Sequence, residues 1–493
     1  MKSVSELKNI KLTKSLSENM TLFRGIFKKD SVLRSREIRA KSGFSVGIFY
    51  FDGMVNNQII NESVVRPIVL CESEPWTDKA AFLLSSVIFT GEAKICEKCE
   101  DMVRSILYGD TLILIDGTEK AIVVNSKGWR TRGISEPENE RILEGPREGF
   151  DEAAMFNLAM IRRKLLTPDF SVEILRMGRR TDTMVFICYL DSLTDEKTLG
   201  ILKERLSKID IDGILDTNYI SEQIRDNPHS VFKTAGVTER PDIVAANLLE
   251  GRIAVVVDGT PVVLTVPYLF SENFQSDEDY YTDYKMASAS RLLRIICFLL
   301  SITVPGLYLA VTAFHIRLLP PAFALSIAAA RQGVPFSPTA EALLIIFVFE
   351  TLKEAGLRMP QSVGHALSIV GGLVVGQAAV EAKIISAPML IAVALSGIAG
   401  LMVPRLRTAV FISRIAITVL SAVFGIYGTL SFLVLLLAHI LSIRSFGRDY
   451  TESLRSLSRQ SQKDTFIRSR WSSMIKRPKI QNRDEKRQNE KNN

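Results

Sequence analysis

The chain has 493 residues, 47% of them hydrophobic, with five cysteines and a formal net charge of +7. That length allows two or three cores, and five scattered cysteines fit a reducing compartment rather than a disulfide scaffold. The surplus charge is local: residues 444–493 hold 14 Lys plus Arg against 6 Asp plus Glu, which leaves the rest of the chain close to neutral.

Residues 1–43 are rich in Lys, Arg and Ser, with no apolar run of the kind that opens a secretory signal, so they are expected to be a charged, flexible, cytoplasmic segment. Residues 44–284 mix strand and helix signals. "FSVGIFYFDGMV", "DTLILIDGTEKAIVV", "TMVFICYL" and "RIAVVVDGTPVVLTVP" read as strands, being β-branched and most of them running into Asp-Gly turn pairs. Two of them match, each placing Asp-Gly-Thr between apolar arms, which predicts a structural hairpin used twice. "FDEAAMFNLAMIRRKLL", "DEKTLGILKERLSKI" and "RPDIVAANLLEG" read as helices, the last bracketed by Pro241 and Gly251. The expected arrangement is two α/β subdomains, 44–167 and 168–284, the second closing on the acidic linker "SENFQSDEDYYTDY".

Residues 285–443 are different, with long apolar runs and few charges. Those at 295–314 and 415–443 reach or exceed the roughly 20 residues that cross a bilayer. Cation clusters at Lys285 to Arg294, at Arg405 with Arg407, and from Arg444 onward imply an even number of crossings between them if all three are cytoplasmic. About four full spans with shorter or re-entrant segments satisfy that rule, and about six would as well. The pair at the end would fold at the bend from Gly425 to Gly428. The basic tail after them suits anionic lipid better than nucleic acid, since no folded nucleic-acid motif accompanies it.

Within this half, "SVGHALSIVGGLVVGQAAVEA" has neither the preceding strand nor the spacing of a phosphate loop. On a helical wheel Gly364, Gly371, Gly372 and Gly376 share a small face with Ser368, Ala378 and Ala379, while the large aliphatic residues fill the other side. The expectation is a helix-packing face, with Gly372 and Gly376 in G-x-x-x-G spacing. "TAEALLIIFVFETLKEAGLRMP" gathers Glu350, Lys353, Glu354 and Arg358 on one arc. These satisfy one another at the interface, or they line an ion path, because carboxylates at membrane depth tend to face water or partners. Glu341 lies on the opposite side with no charged neighbour there. The candidate ion pathway is therefore Glu341, Glu350 and Glu354. Cys96 and Cys99 form a lone C-x-x-C without a second pair, and no nucleophile elbow, Walker loop or His-Glu zinc motif occurs, so neither a metal, a cofactor nor an enzymatic site is expected.

"RQGVPFSPTAEALLIIFVFETLKEAGLRMPQSVGHALSIVGGLVVGQAAVEAKIISAPMLIAVALSGIAGLMVP" resembles the A-subunit family of GerA-type spore germinant receptors. So do "YFDGMV", "GWRTRGISEPENERILEGPREGFDEAAMFNLAMIRRKL", "TERPDIVAANLLEGRIAVVVDGTPVVLTVP" and "LSIRSFG". The likeness runs from about residue 44 to residue 447. The chain departs from the family where "RDYTESL" follows "SFG", and where "VFKTAG" stands in place of a Phe-Pro. The resemblance implies a multi-pass protein of the spore inner membrane that forms homo-oligomers. It would work with a transporter-like B subunit and a lipoprotein C subunit to couple nutrient sensing to cation release. The alternatives are a stage V sporulation protein AF-like role that amplifies germination without sensing nutrient, and a secondary transporter. The transporter reading is weakened by the lack of an inverted repeat.

Overall fold

A computed structural model of the chain describes residues 4–8, 10–73, 78–129, 136–137, 140, 142, 144–358, 374–455 and 463–477. An α/β region is followed by a helical region. The α/β region contains the same arrangement twice. In the first copy, helix α1 (Leu16–Ile26) precedes strands β1 (Leu33–Arg39) and β2 (Ser45–Phe51). Helical turns across residues 57–70 and 79–87 then lead to β3 (Ala93–Cys96), helix α2 (Cys99–Leu107), β4 (Thr111–Ile115) and β5 (Ala121–Val124). In the second copy, α3 (Ala154–Lys164) precedes β6 (Phe170–Met177) and β7 (Thr183–Leu190). Helix α4 (Glu196–Ser207) and a shorter helix, Thr217–Gln223, lead to β8 (Gly236–Thr238), α5 (Pro241–Leu249), β9 (Ile253–Val257) and β10 (Val263–Val266). The sheet orders correspond, β1-β2-β4-β5-β3 and β6-β7-β9-β10-β8, and every strand pairing is antiparallel.

Both faces of each sheet are covered, which is why the central strands read as continuous apolar runs. Leu112, Leu114, Ala121 and Val123 face the core under α1 and α2, whereas Ile113, Ile115, Ile122 and Val124 face the turns at 57–70 and 79–87. Ala254, Val256 and Val263 pack under α3 and α5, and Ile253, Val255, Val257 and Leu264 pack towards α4. The matching Asp-Gly-Thr segments are the β4–β5 and β9–β10 loops. Gly117 and Gly259 there have φ of +82° and +92°, a region that glycine enters without steric cost. Each aspartate reaches far along the chain. Asp116 Oδ1 accepts from the Leu16 N–H at 3.2 Å, at the start of α1, and Asp258 Oδ1 accepts from the Ala154 N–H at 3.0 Å, at the start of α3.

Two expectations are corrected here. The N-terminal segment is not a flexible leader: Leu16, Met20 and Phe23 of α1 are buried in the first core, and β1 forms the sheet edge. Its polar residues mark only the outer faces of these elements. Helix α3, placed by the sequence in the first subdomain, opens the second copy instead, because Ala154, Leu158 and Ile161 pack with β7, β9 and α5.

The helical region begins with α6 (Tyr284–Phe314), 31 residues long. It continues through Pro321–Ala330, α7 (Pro338–Arg358), a helical stretch at 374–381, α8 (Ala387–Leu401), α9 (Arg407–Phe424) and α10 (Ile426–Ser442). Gly425, at φ +59°, breaks the chain between α9 and α10. Among the described residues two helices are long and apolar enough to cross a membrane, Tyr284–Phe314 and Pro404–Phe424; α8 and α10 are apolar but shorter. Helix α6 packs against α8 and α9. Close approach comes at Gly306, where a Cβ would lie 2.9 Å from Ser421 Oγ, and at Gly397, where it would lie 2.4 Å from the Phe349 ring.

Candidate functional site

The two regions meet at a continuous core, and the acidic linker is part of it. Residues Phe270–Phe274 and Asp277–Tyr280 form single 3₁₀ turns. Phe270 and Phe274 stack edge-on against Phe298 of α6, with centroids 6.3 and 5.5 Å away. Phe232, Tyr268, Val403, Leu406, Ile440 and Tyr450 are also in the cluster, so the segments flanking β8 and β10, α6, the α8–α9 loop, α9 and the end of α10 share one apolar core.

Charge crosses the same boundary. Asp279, buried in the linker, accepts from Arg291 Nε at 3.1 Å and from Arg294 Nη2 at 2.7 Å, both cations lying in the first turns of α6. Arg291 Nη1 also reaches Asp464 Oδ1 at 3.0 Å, and the Tyr280 hydroxyl donates to Asp464 Oδ2 at 3.0 Å. Burial pushes the Asp464 carboxyl above its usual range, and the Arg291 guanidinium pulls it back. In the loop between α8 and α9, Arg405 donates to the Glu272 carbonyl and to Asp277 Oδ1, each at 3.2 Å. Glu272 itself is buried and paired with Arg252; burial raises its carboxyl and Arg252 opposes the shift. Removing water from these groups is costly, and each is compensated by a partner from another segment.

The three candidate carboxylates sit in distinct settings. Glu341 is fully buried and accepts from the backbone N–H of Ser386 at 2.5 Å and from the Ser386 hydroxyl, which anchors the start of α8. Arg331 Nη2, from the segment before α7 and not from the helix's own face, lies 3.8 Å from it. Glu350 pairs with Lys353 at 3.7 Å, as its spacing predicts, and also with the buried Arg414 of α9 at 3.2 Å. Arg414 in turn donates to the Ser301 and Ser396 carbonyls, which ties α6, α7, α8 and α9 together. Glu354 pairs with Arg358 at 2.8 Å and with Arg407 at 2.6 Å, and its side chain remains 47% exposed. The sequence reading passed over Arg414. Its signal was available, a single cation inside the apolar run "AVFISRIAITVL".

Gly364, Gly371 and Gly372 lie outside the described residues. A Cβ on Gly376 would stand 3.5 Å from Leu390 Cδ2, an ordinary contact, so among the described residues no backbone presses against it. Cys96 and Cys99 are buried where β3 runs into α2, and burial pushes the Cys99 thiol up to about 11. Among the described residues no cluster of three or more His, Cys, Asp or Glu has the arrangement to hold a metal ion.

A duplicated α/β unit joined through a shared core and buried ion pairs to helices of membrane-crossing length defines a two-part protein whose halves are mechanically linked. The chain matches the family model described as Bacillus/Clostridium GerA spore germination protein over residues 20–480. It is 39% identical over 459 residues to spore germination protein KA of Bacillus subtilis (strain 168), covering 93% of this chain and 84% of that protein. It is 35% identical over 480 residues to the uncharacterized membrane protein YfkQ of the same organism, covering 97% and 93%. Among solved structures, the N-terminal domain of the A subunit of the Bacillus megaterium spore germinant receptor GerK3 is 31% identical, with a TM-score of 0.42, covering 53% of this chain and 98% of that domain. The chain belongs to the GerA family of spore germinant receptor A subunits. Relatives of this kind imply association with the spore membrane.

Proposed function

We propose that this chain is the A subunit of a nutrient germinant receptor of the inner spore membrane, and that its helices conduct cations as a homo-oligomer when the receptor responds. The observation that supports this reading most is the junction of Asp279, Arg291, Arg294 and Asp464 under the shared aromatic core. A displacement of the duplicated α/β unit must be carried into α6, because breaking the junction would leave buried charge without a partner. A transporter-like B subunit and a lipoprotein C subunit would complete the receptor. Its N-terminal region and tail would face the cytoplasm, the tail near anionic lipid. Helices α6 and α9, with the shorter α8 and α10, would supply the crossings.

Potassium flux through liposomes holding the purified full chain tests conduction directly. Cation-selective flux above that of empty liposomes supports the channel reading. Its absence, also after addition of the B and C subunits, leaves a relay or scaffold. Substrate counterflow would instead indicate a transporter.

A further inference from the structure

Helix α6 carries Pro305 in its interior, with Gly306 directly after it. A proline there has no N–H to give to the carbonyl four residues back, so the Ser301 carbonyl loses its helical donor. Two side chains from other helices take its place. Arg414 Nε of α9 donates to that oxygen at 3.0 Å, and Ser396 Oγ of α8 donates to it at 2.7 Å. Ser301, Ser396 and Arg414 are all buried, where a freed carbonyl has to be satisfied by neighbouring helices rather than by solvent.

The arginine is itself held in place. Its Nη2 donates to the Ser396 carbonyl and its Nη1 to Glu350 Oε1 of α7, each at 3.2 Å. A Cβ on Gly400 would lie 3.0 Å from Nη2, so glycine at that turn of α8 leaves the guanidinium its room. One planar cation thus serves acceptors on three helices, α6, α7 and α8, which the single ammonium of a lysine does not reproduce. Only one of those acceptors, the Ser301 carbonyl, is there because a proline freed it.

We propose that Pro305 and Gly306 form a hinge in α6 and that Arg414, braced by Glu350, is its latch. With the latch closed, the freed carbonyl is fixed to α8 and α9, and the two halves of α6 move as one. With it open, the first half, which carries Arg291 and Arg294 of the junction, tilts against the second half, because the proline has already removed the bond that would resist bending. Glu350 is the handle. A shift of α7 that draws this carboxylate away leaves the Arg414 guanidinium buried without its counter-ion, which favours release of the carbonyl. The use of the hinge in relaying a signal rests on the proposed receptor role; the hinge and its latch hold whether or not the helices conduct.

The test uses the full chain in nanodiscs. Spin labels carried by non-natural residues at Met286 and Ala313, both exposed and on either side of Pro305, read the distance across the hinge. The parent should give one narrow distance distribution and Arg414→Lys a broad one. Pro305→Ala combined with Arg414→Lys should be narrow again, since the introduced N–H returns to the Ser301 carbonyl. Melting gives a second reading: Arg414→Lys should lower the melting temperature less in the Pro305→Ala background than in the parent. Equal losses in the two backgrounds, or a distribution as narrow in Arg414→Lys as in the parent, overturn the latch. A distribution that stays broad when Pro305→Ala is added overturns the hinge. Ser396→Ala removes the other donor without touching charge and should show the same dependence on Pro305 to a smaller extent, so the comparison can be made even where Arg414→Lys does not accumulate.

Discussion

Asp116 and Asp258 occupy equivalent places in the two copies of the α/β unit, each closing a hairpin loop and each capping the helix that opens its own copy from about a hundred residues away. The equivalence extends to the next turn. Asn19 and Asn157, both at the fourth helical residue, each bind the backbone of the segment before the helix. A capping oxygen on the free N–H groups of a first turn contributes about 1 kcal/mol, with a further gain from the helix dipole when it is charged. Asp258→Ala and Asp116→Ala should each lower stability by about 1–2 kcal/mol. Hydrogen exchange should localise the loss to the first turn of α3 or α1. Uniform destabilisation without faster exchange there would refute the capping role.

These caps show where sequence reading stops. The hairpins were legible because Asp, Gly and Thr act on their own neighbours, and α4 was legible because Asp195 caps it locally, accepting from the Thr198 N–H. The cap from Asp116 to Leu16 carries no local signal, although Ser15, which accepts from the Glu18 N–H, marks the start of α1 locally and was hidden among the charges of residues 1–43. The edge strands β1, β3 and β8 were missed because they are short or rich in charge, so alternation is weak; the eight-residue edge strand β6 was missed as well, since its charges, Glu173 and Arg176, fall on opposite faces. In the helical region the charges were found, but their partners on α9 were not, since pairing between helices follows packing rather than spacing.

Arg162 and Asp30 form a fully buried pair at 2.6 Å that ties α3 to the chain just before β1, and the guanidinium also lies 3.8 Å from the Phe51 ring centroid. Arg162→Ala leaves a buried carboxylate alone and should cost about 3–5 kcal/mol at neutral pH. Burial already holds the Asp30 carboxyl above its ordinary value of 3.8, and Arg162 is what opposes the shift. Without Arg162 it rises further. A raised acid favours the folded state while it is protonated, and that contribution fades as pH rises through the folded value. The gap between variant and parent should therefore narrow as pH falls towards 3.8 in denaturant titrations. A gap independent of pH would assign the loss to packing on Phe51.

The junction makes a comparable contrast. Arg291→Ala strands Asp464 and removes one of the two partners of Asp279, whereas Asp464→Asn keeps an oxygen acceptor for Arg291 and turns the other position into an NH2 that donates to the Tyr280 hydroxyl. The arginine variant should lose about 3–5 kcal/mol and the asparagine variant about 1 kcal/mol or less, read from melting of the solubilised full chain. Equal losses would mean that the tail contact matters more than the compensation of charge.

Glycine substitutions separate packing within one chain from packing between chains. Gly397→Val drives a side chain into Phe349 and should reduce stability and yield. Among the described residues Gly376→Leu meets only an ordinary contact with Leu390, so the monomer should fold. If Gly376 faces a neighbouring copy in an oligomer, that variant should keep its melting temperature yet lose the oligomer in size-exclusion measurements. An intact oligomer would remove Gly376 from the interface.

The carboxylates make the last and most discriminating case. Glu341 is enclosed within its own chain and spends one oxygen on the N–H and hydroxyl of Ser386, so it is placed to hold α7 to α8 rather than to meet a passing ion. Glu350 is covered by Arg414 and Lys353. Glu354 alone of the three keeps nearly half of its side chain open, and in a ring of subunits such a carboxylate would raise the local cation concentration. Arg358 and Arg407 temper that effect without closing the site. In the liposome assay, Glu354→Gln should lower the ratio of cation to anion permeability while protein level stays the same. Glu341→Gln keeps an oxygen acceptor for Ser386 and should leave selectivity unchanged, with a loss of about 1 kcal/mol in stability. Glu341→Ala should lose more, because the N–H and hydroxyl of Ser386, the residue just before α8, then lose their buried acceptor. If Glu341→Gln alters selectivity and Glu354→Gln does not, the buried carboxylate must become exposed in the conducting state, and α7 must turn or slide against α8 when the path opens.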